Sequence, residues 1–157
     1  MRFRSAGGAG TYDELRYVMI LVVDDHPDTR SALLRLLGYE GYQALAASSG
    51  AEALAMLVNT TPALIILDYD MHGMNGLEFL AEMRHTNRLR NIPVIMYSAE
   101  LQDATRDRAL AAGVAAYVKK ASLDWAQLRH EVTRLIGLGN SQGTWPDICD
   151  TRGRDSA

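Results

Sequence analysis

The chain has 157 residues, 48% of them apolar and 22% charged, which suits one domain of ordinary size with a real hydrophobic core. A formal net charge of -3 argues against a surface built for nucleic acid, and no apolar run is long enough to span a bilayer, so neither is expected as a partner. The single cysteine, Cys149, allows no intrachain disulfide, and the opening MRFRSAGGAG lacks the apolar stretch of a signal peptide; the expected setting is the cytoplasm.

Residues 1–16 are rich in Gly, Ala and Arg and read as a flexible N-terminal extension, with Met19 as an alternative start. From Tyr17 the run YVMILVV is apolar, β-branched and of strand length. PDTRSALLRLLGYEGY follows as a helix. Pro27 fits its first turn, Leu33, Leu34, Leu36 and Leu37 cover one face, and Gly38 and Gly41 suit its exit. YQALAA reads as a short strand. SGAEALAMLVN reads as a helix capped by Ser48 or Ser49, with Ala53, Leu54, Leu57 and Val58 facing the core.

PALIILD is a continuous apolar strand ending in Asp68. The loop YDMHGMNG leads into the helix GLEFLAEMRH, with Leu77, Leu80 and Met83 inward. IPVIMYSA is a strand, DATRDRALAAG a helix closed by Gly113, and VAAYVKK a last strand. SLDWAQLRHEVTRLIG is a helix with Ser122 as cap and Leu128, Val132, Leu135 and Ile136 inward. The expected domain is 17–138. Residues 139–157 are polar and Gly-rich and read as a flexible tail, with no output domain.

Five β-α units in succession predict an α/β fold with a doubly wound parallel sheet, and continuous apolar strands fit a sheet buried on both faces. Ligands of such sheets bind beyond the carboxyl ends of the strands. Those ends carry Asp24 and Asp25, Asp68, Ser98, and Lys119 with Lys120. Each has an ordinary reading when taken alone. The Asp24–Asp25 pair before Pro27 caps a helix as readily as it holds a cation. Asp68 is a loop acid, Ser98 a turn residue, Tyr117 a half-buried strand aromatic, and Lys119–Lys120 a solvated pair. Convergence on one rim is what points to chemistry: adjacent carboxylates at a core edge call for a cation, and Mg²⁺ prefers oxygen ligands. The four histidines show no metal-ligand spacing among themselves; His26 and His72 are expected as solvated residues near the acidic rim. Met71 and Met74 read as loop packing.

ILVVDD, IILDYDMHGMNG, VIMYSA and AAYVKK stand in an order and at spacings that resemble the receiver domain of bacterial two-component response regulators, over about Tyr17 to Gly137. The resemblance implies a flavodoxin-like (βα)5 fold with strand order 2-1-3-4-5. It assigns Asp68 as the phosphoacceptor and Asp24, Asp25 and Asp68, with the backbone carbonyl of Asp70, as the Mg²⁺ site. It assigns Ser98, thirty residues after Asp68, as the switch hydroxyl, Tyr117 as the switch aromatic, and Lys120 as the essential lysine. The implied partners are a sensor histidine kinase or phosphotransfer protein and a downstream target protein, met by the face of the fourth helix, fifth strand and fifth helix. A homodimer through that face is common in the family, and no residues here specify one. The implied activity is signalling, with catalysis confined to the protein's own phosphorylation and dephosphorylation.

Three positions depart from the family's habit. Ala121 stands where proline usually follows the lysine through a cis bond, His72 stands where proline is common, and Tyr97 is bulkier than the usual aliphatic and is expected to crowd the switch. Ala121 and Tyr97 motivate a second reading, a phosphorylation-independent interaction module with a retained acidic pocket. A third, a small phosphate-ester hydrolase using Asp68, lacks a substrate-binding cap.

Overall fold

The computed structural model describes residues 18–99, 102–120 and 125–136. The expected tails, Tyr17, Ala121, Ser122 and Cys149 lie outside the described residues. Strands β1 (Met19–Val23), β2 (Gln43–Ala47), β3 (Leu64–Leu67), β4 (Val94–Ser98) and β5 (Ala116–Lys119) alternate with helices α1 (Pro27–Tyr39), α2 (Gly50–Leu57), α3 (Gly76–Arg84), α4 (Asp103–Ala111) and α5 (Trp125–Ile136). The strands are parallel and ordered β2-β1-β3-β4-β5, so this is the flavodoxin-like doubly wound α/β sheet. Among the described residues, no helix is long and apolar enough to cross a membrane.

Strand alternation splits the core in two. Ile20, Val22, Ile66, Ile95, Tyr97 and Val118 face Leu33 and Leu37 of α1 and Leu128 and Val132 of α5. Leu21, Val23, Ile65, Leu67, Met96 and Tyr117 face Ala53 and Leu57 of α2, Phe79, Leu80 and Met83 of α3, and Ala109 of α4. Burial on both faces is why the strands read as unbroken apolar runs. Met71 and Met74 pack on the second core, as loop packing requires.

Local signals account for most boundaries. Pro27 opens α1, where its missing N–H costs nothing. Ser49 caps α2, its side chain accepting from Glu52 N at 3.1 Å, while Ser48 donates to the Glu52 carboxylate. Asn75 and Glu78 form a reciprocal capping box at the start of α3. Gly113 closes α4 with φ +93°.

Four details differ from expectation. Val58 is 70% exposed, because α2 ends at Leu57 and the chain turns away from the sheet. Phe79 is fully buried and takes the inward place beside Leu80 and Met83, while Leu77 is half-buried. Only Gly41 of the α1 exit pair has the left-handed backbone, φ +90°; Gly38 lies inside the helix. Tyr97 faces the α1–α5 side and Tyr117 the other, so the two rings do not compete for the same space. Its ring lies 6.1 Å from that of Trp125.

Candidate functional site

Hydrogen bonds that extend the strand ladders by one residue set the acidic side chains next to each other. Asp24 N donates to Ala47 O at 3.1 Å, and Asp68 N donates to Val23 O at 2.8 Å. At the other edge, Lys120 N donates to Ser98 O at 2.8 Å. Asp24, Asp68 and Ser98 are therefore buried at the carboxyl rim of the sheet. Behind Asp68 the chain passes very close to α3: a Cβ on Gly76 would lie 2.6 Å from Asp68 O and 2.9 Å from Tyr69 Cα, so only glycine fits.

Lys120 reaches across this rim. Its Nζ is 2.6 Å from Asp24 Oδ2 and 3.3 Å from Asp68 Oδ2. It also lies 5.6 Å from the centroid of the Tyr97 ring. The lysine thus holds together two carboxylates that would otherwise repel. Asp68 Oδ2 still makes no hydrogen bond among the described residues, and Asp25 Oδ1 makes none either. Burial raises the pKa of Asp68; Lys120 opposes the rise and Asp24 adds to it.

Asp25 is held differently. His72 N and Nδ1 lie 3.0 and 2.6 Å from its Oδ2. His26 Nδ1 lies 3.0 Å from its Oδ1. Burial disfavours the charged form of Asp25, yet the hydrogen bonds from His72 and the charges of both histidines outweigh it and lower its pKa.

The structure brings Asp24, Asp25, Asp68 and Lys120 into contact. Ser98 is buried at the same rim, two residues beyond Met96, the last β4 residue paired with β3. Tyr117 is buried beneath, opposite Met96. Asp70 is exposed, with its N–H 3.4 Å from Asp68 Oδ1. The helix-capping reading of the acid pair does not hold: the N-cap residue of α1 is His26, and no side chain caps it. Asp24 Oδ1 only accepts the His26 N–H, at 2.8 Å.

The histidines are solvent-exposed as expected, 64% for the His26 side chain and 100% for His72, but both also touch carboxylate oxygens. The sequence clue was position: His26 follows the acid pair directly, and His72 sits four residues after Asp68 in the loop that must pass the rim. Arg30 was not singled out in the sequence; its guanidinium donates to the Asp24 carbonyl at 2.7 Å.

One ligand atom each from Asp24, Asp25, His26 and Asp68 lies within 4.8 Å of all the others. The oxygen-rich donors and the orphaned oxygens of Asp25 and Asp68 fit a divalent cation such as Mg²⁺.

A doubly wound sheet with acids and a lysine at its carboxyl rim defines a class of proteins that bind at that rim. The chemotaxis protein CheY4 of Vibrio cholerae has this fold: 26% identity, TM-score 0.70, covering 75% of this chain and 98% of that one. The response regulator TrrA of Thermotoga maritima, solved in complex with Mg²⁺-BeF, is 33% identical with TM-score 0.67, covering 75% of this chain and 98% of that one. The transcriptional activator protein ExaE of Pseudomonas putida is 38% identical over 125 residues, 78% of this chain and 56% of its own length. The chain thus spans little more than half of that activator. Residues 20–133 match the response regulator receiver domain family, and the chain belongs to it.

Proposed function

We propose that the chain is a response regulator that accepts a phosphoryl group on Asp68 from a phosphohistidine of a sensor histidine kinase or phosphotransfer protein, in the cytoplasm, and passes the signal to a target protein through an altered surface. The observation that carries this reading is the Asp68 carboxylate. It is buried at the rim, has one oxygen without a hydrogen bond, and lies 3.3 Å from the ammonium of Lys120.

Asp24, Asp25 and Asp68, with the carbonyl of Asp70, would hold Mg²⁺, which when bound neutralises the clustered carboxylates and the incoming phosphoryl oxygens. Asp68 attacks phosphorus, the bond to the donor imidazole breaks, and an acyl phosphate forms on the carboxylate. Lys120 leaves its carboxylate partners and pairs with a phosphoryl oxygen. Ser98 donates its hydroxyl to another, and Tyr117 follows into the space that Ser98 leaves. The affected face is that of α4, β5 and α5, which the target reads. Residues 17–138 form the receiver unit in this reading, and the catalysis is confined to the protein's own phosphorylation and dephosphorylation.

Intact mass after incubation with acetyl phosphate and Mg²⁺ tests it. A gain of one phosphoryl group in wild type, absent in Asp68→Ala and lost with EDTA, is expected. No gain in wild type, with either acetyl phosphate or a phosphohistidine donor, overturns the reading in favour of a phosphorylation-independent interaction module.

A further inference from the structure

His26 lies within the carboxylate cluster at the rim, and nothing in the phosphoryl chemistry above uses it. It is the N-cap residue of α1, but its side chain makes no capping bond. Instead its ring turns toward the acids. Nδ1 lies 3.0 Å from Asp25 Oδ1, 3.3 Å from Asp24 Oδ1 and 3.8 Å from Asp68 Oδ2. Donors about 2.1 Å from a six-coordinate ion stand about 3.0 Å apart when adjacent and about 4.2 Å when opposite. The three nitrogen–oxygen distances fall within this range, and all four ligand atoms lie within 4.8 Å of one another.

A second, independent feature points to an occupant. Asp68 is 2% exposed in its side chain, and its Oδ2, 3.8 Å from His26 Nδ1, accepts no hydrogen bond among the described residues; the Lys120 ammonium 3.3 Å away is shared with Asp24. One ammonium shared between two buried carboxylates leaves negative charge that a second cation would compensate. Asp25 Oδ1 likewise accepts no hydrogen bond among the described residues, with His26 Nδ1 3.0 Å away, while His72 anchors the other oxygen of that carboxylate.

We propose that His26 supplies an imidazole nitrogen to the divalent-cation site of Asp24, Asp25 and Asp68, so that the pocket takes first-row transition ions such as Co²⁺ in preference to Mg²⁺. This deepens the reading above and rests on its carboxylate site. The chemistry is that of ligand type. Mg²⁺ is hard and gains little from exchanging a water for imidazole, whereas Co²⁺, Ni²⁺ and Zn²⁺ bind imidazole well. The same side chain therefore strengthens one class of ion and leaves the other nearly unaffected. His72 acts at one remove: by fixing Asp25 Oδ2 through two contacts it aims Oδ1 at the ion, and it is a positioning residue.

The test is calorimetric titration of the full chain with CoCl₂ and with MgCl₂, for wild type, His26→Ala and His26→Gln, joined to proton NMR of the Co²⁺-loaded forms. Wild type is expected to bind Co²⁺ at least tenfold more tightly than Mg²⁺. Both variants lose that tenfold for Co²⁺ while Mg²⁺ affinity stays within twofold. Co²⁺-loaded wild type shows a strongly shifted, solvent-exchangeable imidazole N–H signal that both variants lack. His26 is 64% exposed in its side chain, so neither variant endangers the fold. Unchanged Co²⁺ affinity, equal losses for both ions, or a shifted imidazole signal that survives in the variants overturns the assignment. Tight Co²⁺ binding with the His26 signal, together with no phosphoryl uptake, would refute the phosphoacceptor reading and leave this one standing.

Discussion

Glu40 offers a test of the packing between α1 and α5 that does not depend on the acidic rim. It follows the last turn of α1, with its N–H donating to Leu36 O at 3.1 Å. Its side chain is half-buried and Oε1 has no hydrogen-bond partner among the described residues. Burial raises its pKa from 4.5 to about 7, and Arg129 on α5 only partly opposes the rise. The folded protein therefore binds this proton more tightly than the unfolded chain does. Stability from this site is intact below pH 4.5 and declines as pH rises to about 7, where the loss levels off. A shift of that size sets an upper bound of about 3 kcal/mol, and solvent access to the carboxylate reduces it to about 1 kcal/mol. Glu40→Gln keeps the shape and removes the charge. In urea denaturation across the range from about pH 4.5 to 8, the variant and wild type are expected to match at the acid end. The variant should gain about 1 kcal/mol above pH 7. A difference that does not change with pH would show that burial does not control this carboxyl. A variant that is less stable at the alkaline end would show that attraction to Arg129 outweighs desolvation.

Asp68→Asn removes the carboxylate whose ionisation burial opposes. In EDTA it should stabilise the fold by about 1 kcal/mol, read from the urea midpoint, and it should lose phosphoryl uptake altogether. Mg²⁺ at a hundred times its dissociation constant should stabilise wild type by about 2.7 kcal/mol and the variant by less, seen as a shift in melting temperature. Gly76→Ala drives a Cβ against the Asp68 carbonyl and Tyr69 Cα; a loss of about 1–3 kcal/mol and a slower phosphoryl uptake by intact mass are expected. Leu57→Ala should cost about 2–5 kcal/mol in urea denaturation, whereas Val58→Ser, one residue on, should stay within about 0.5 kcal/mol.

The strand order and the rim were legible because both follow from one-dimensional signals. A strand buried on both faces must be apolar throughout, and the acids of a parallel sheet stand at the carboxyl ends of those runs. Asp24, Asp68 and Lys120 could thus be placed together from sequence, and Lys120 proved to bridge the other two. What failed depended on helix phase and side-chain direction. Val58 continues the apolar spacing of α2, but the helix ends before its turn reaches the sheet. Phe79 is fully buried in the core although it was left out of the expected inward face of α3. The side of Tyr97 was available from strand alternation: Met96 faces α2, α3 and α4, so its neighbour must face α1 and α5. The meeting of His72 with Asp25, across 47 residues, depends on the path of a loop and has no sequence period to reveal it.

The same pocket treats its acids unequally, and under the proposed function this inequality would suit it to phosphoryl transfer. Asp25 is held ionised: His72 and His26 lower its pKa against the effect of burial. Asp68, which shares one lysine with Asp24, has its pKa raised by burial and by that neighbour, with Lys120 opposing. Groups in one site whose environments push their acidities apart have different tasks. Asp25 is suited to remain an anionic ligand whatever else arrives. Asp68 gains most from any added positive charge, and in the proposed reaction it would also gain from conversion of its unfavourable carboxylate into an acyl phosphate whose charge lies further out, within reach of Lys120. A cation held by Asp24 and Asp25 would neutralise them, and Lys120, 2.6 Å from Asp24 Oδ2, would then be available to phosphoryl oxygens in the proposed reaction. Occupation of the carboxylate site and the position of the lysine would thus be linked by charge balance, with Asp24, which shares Lys120 with Asp68, as the connecting acid.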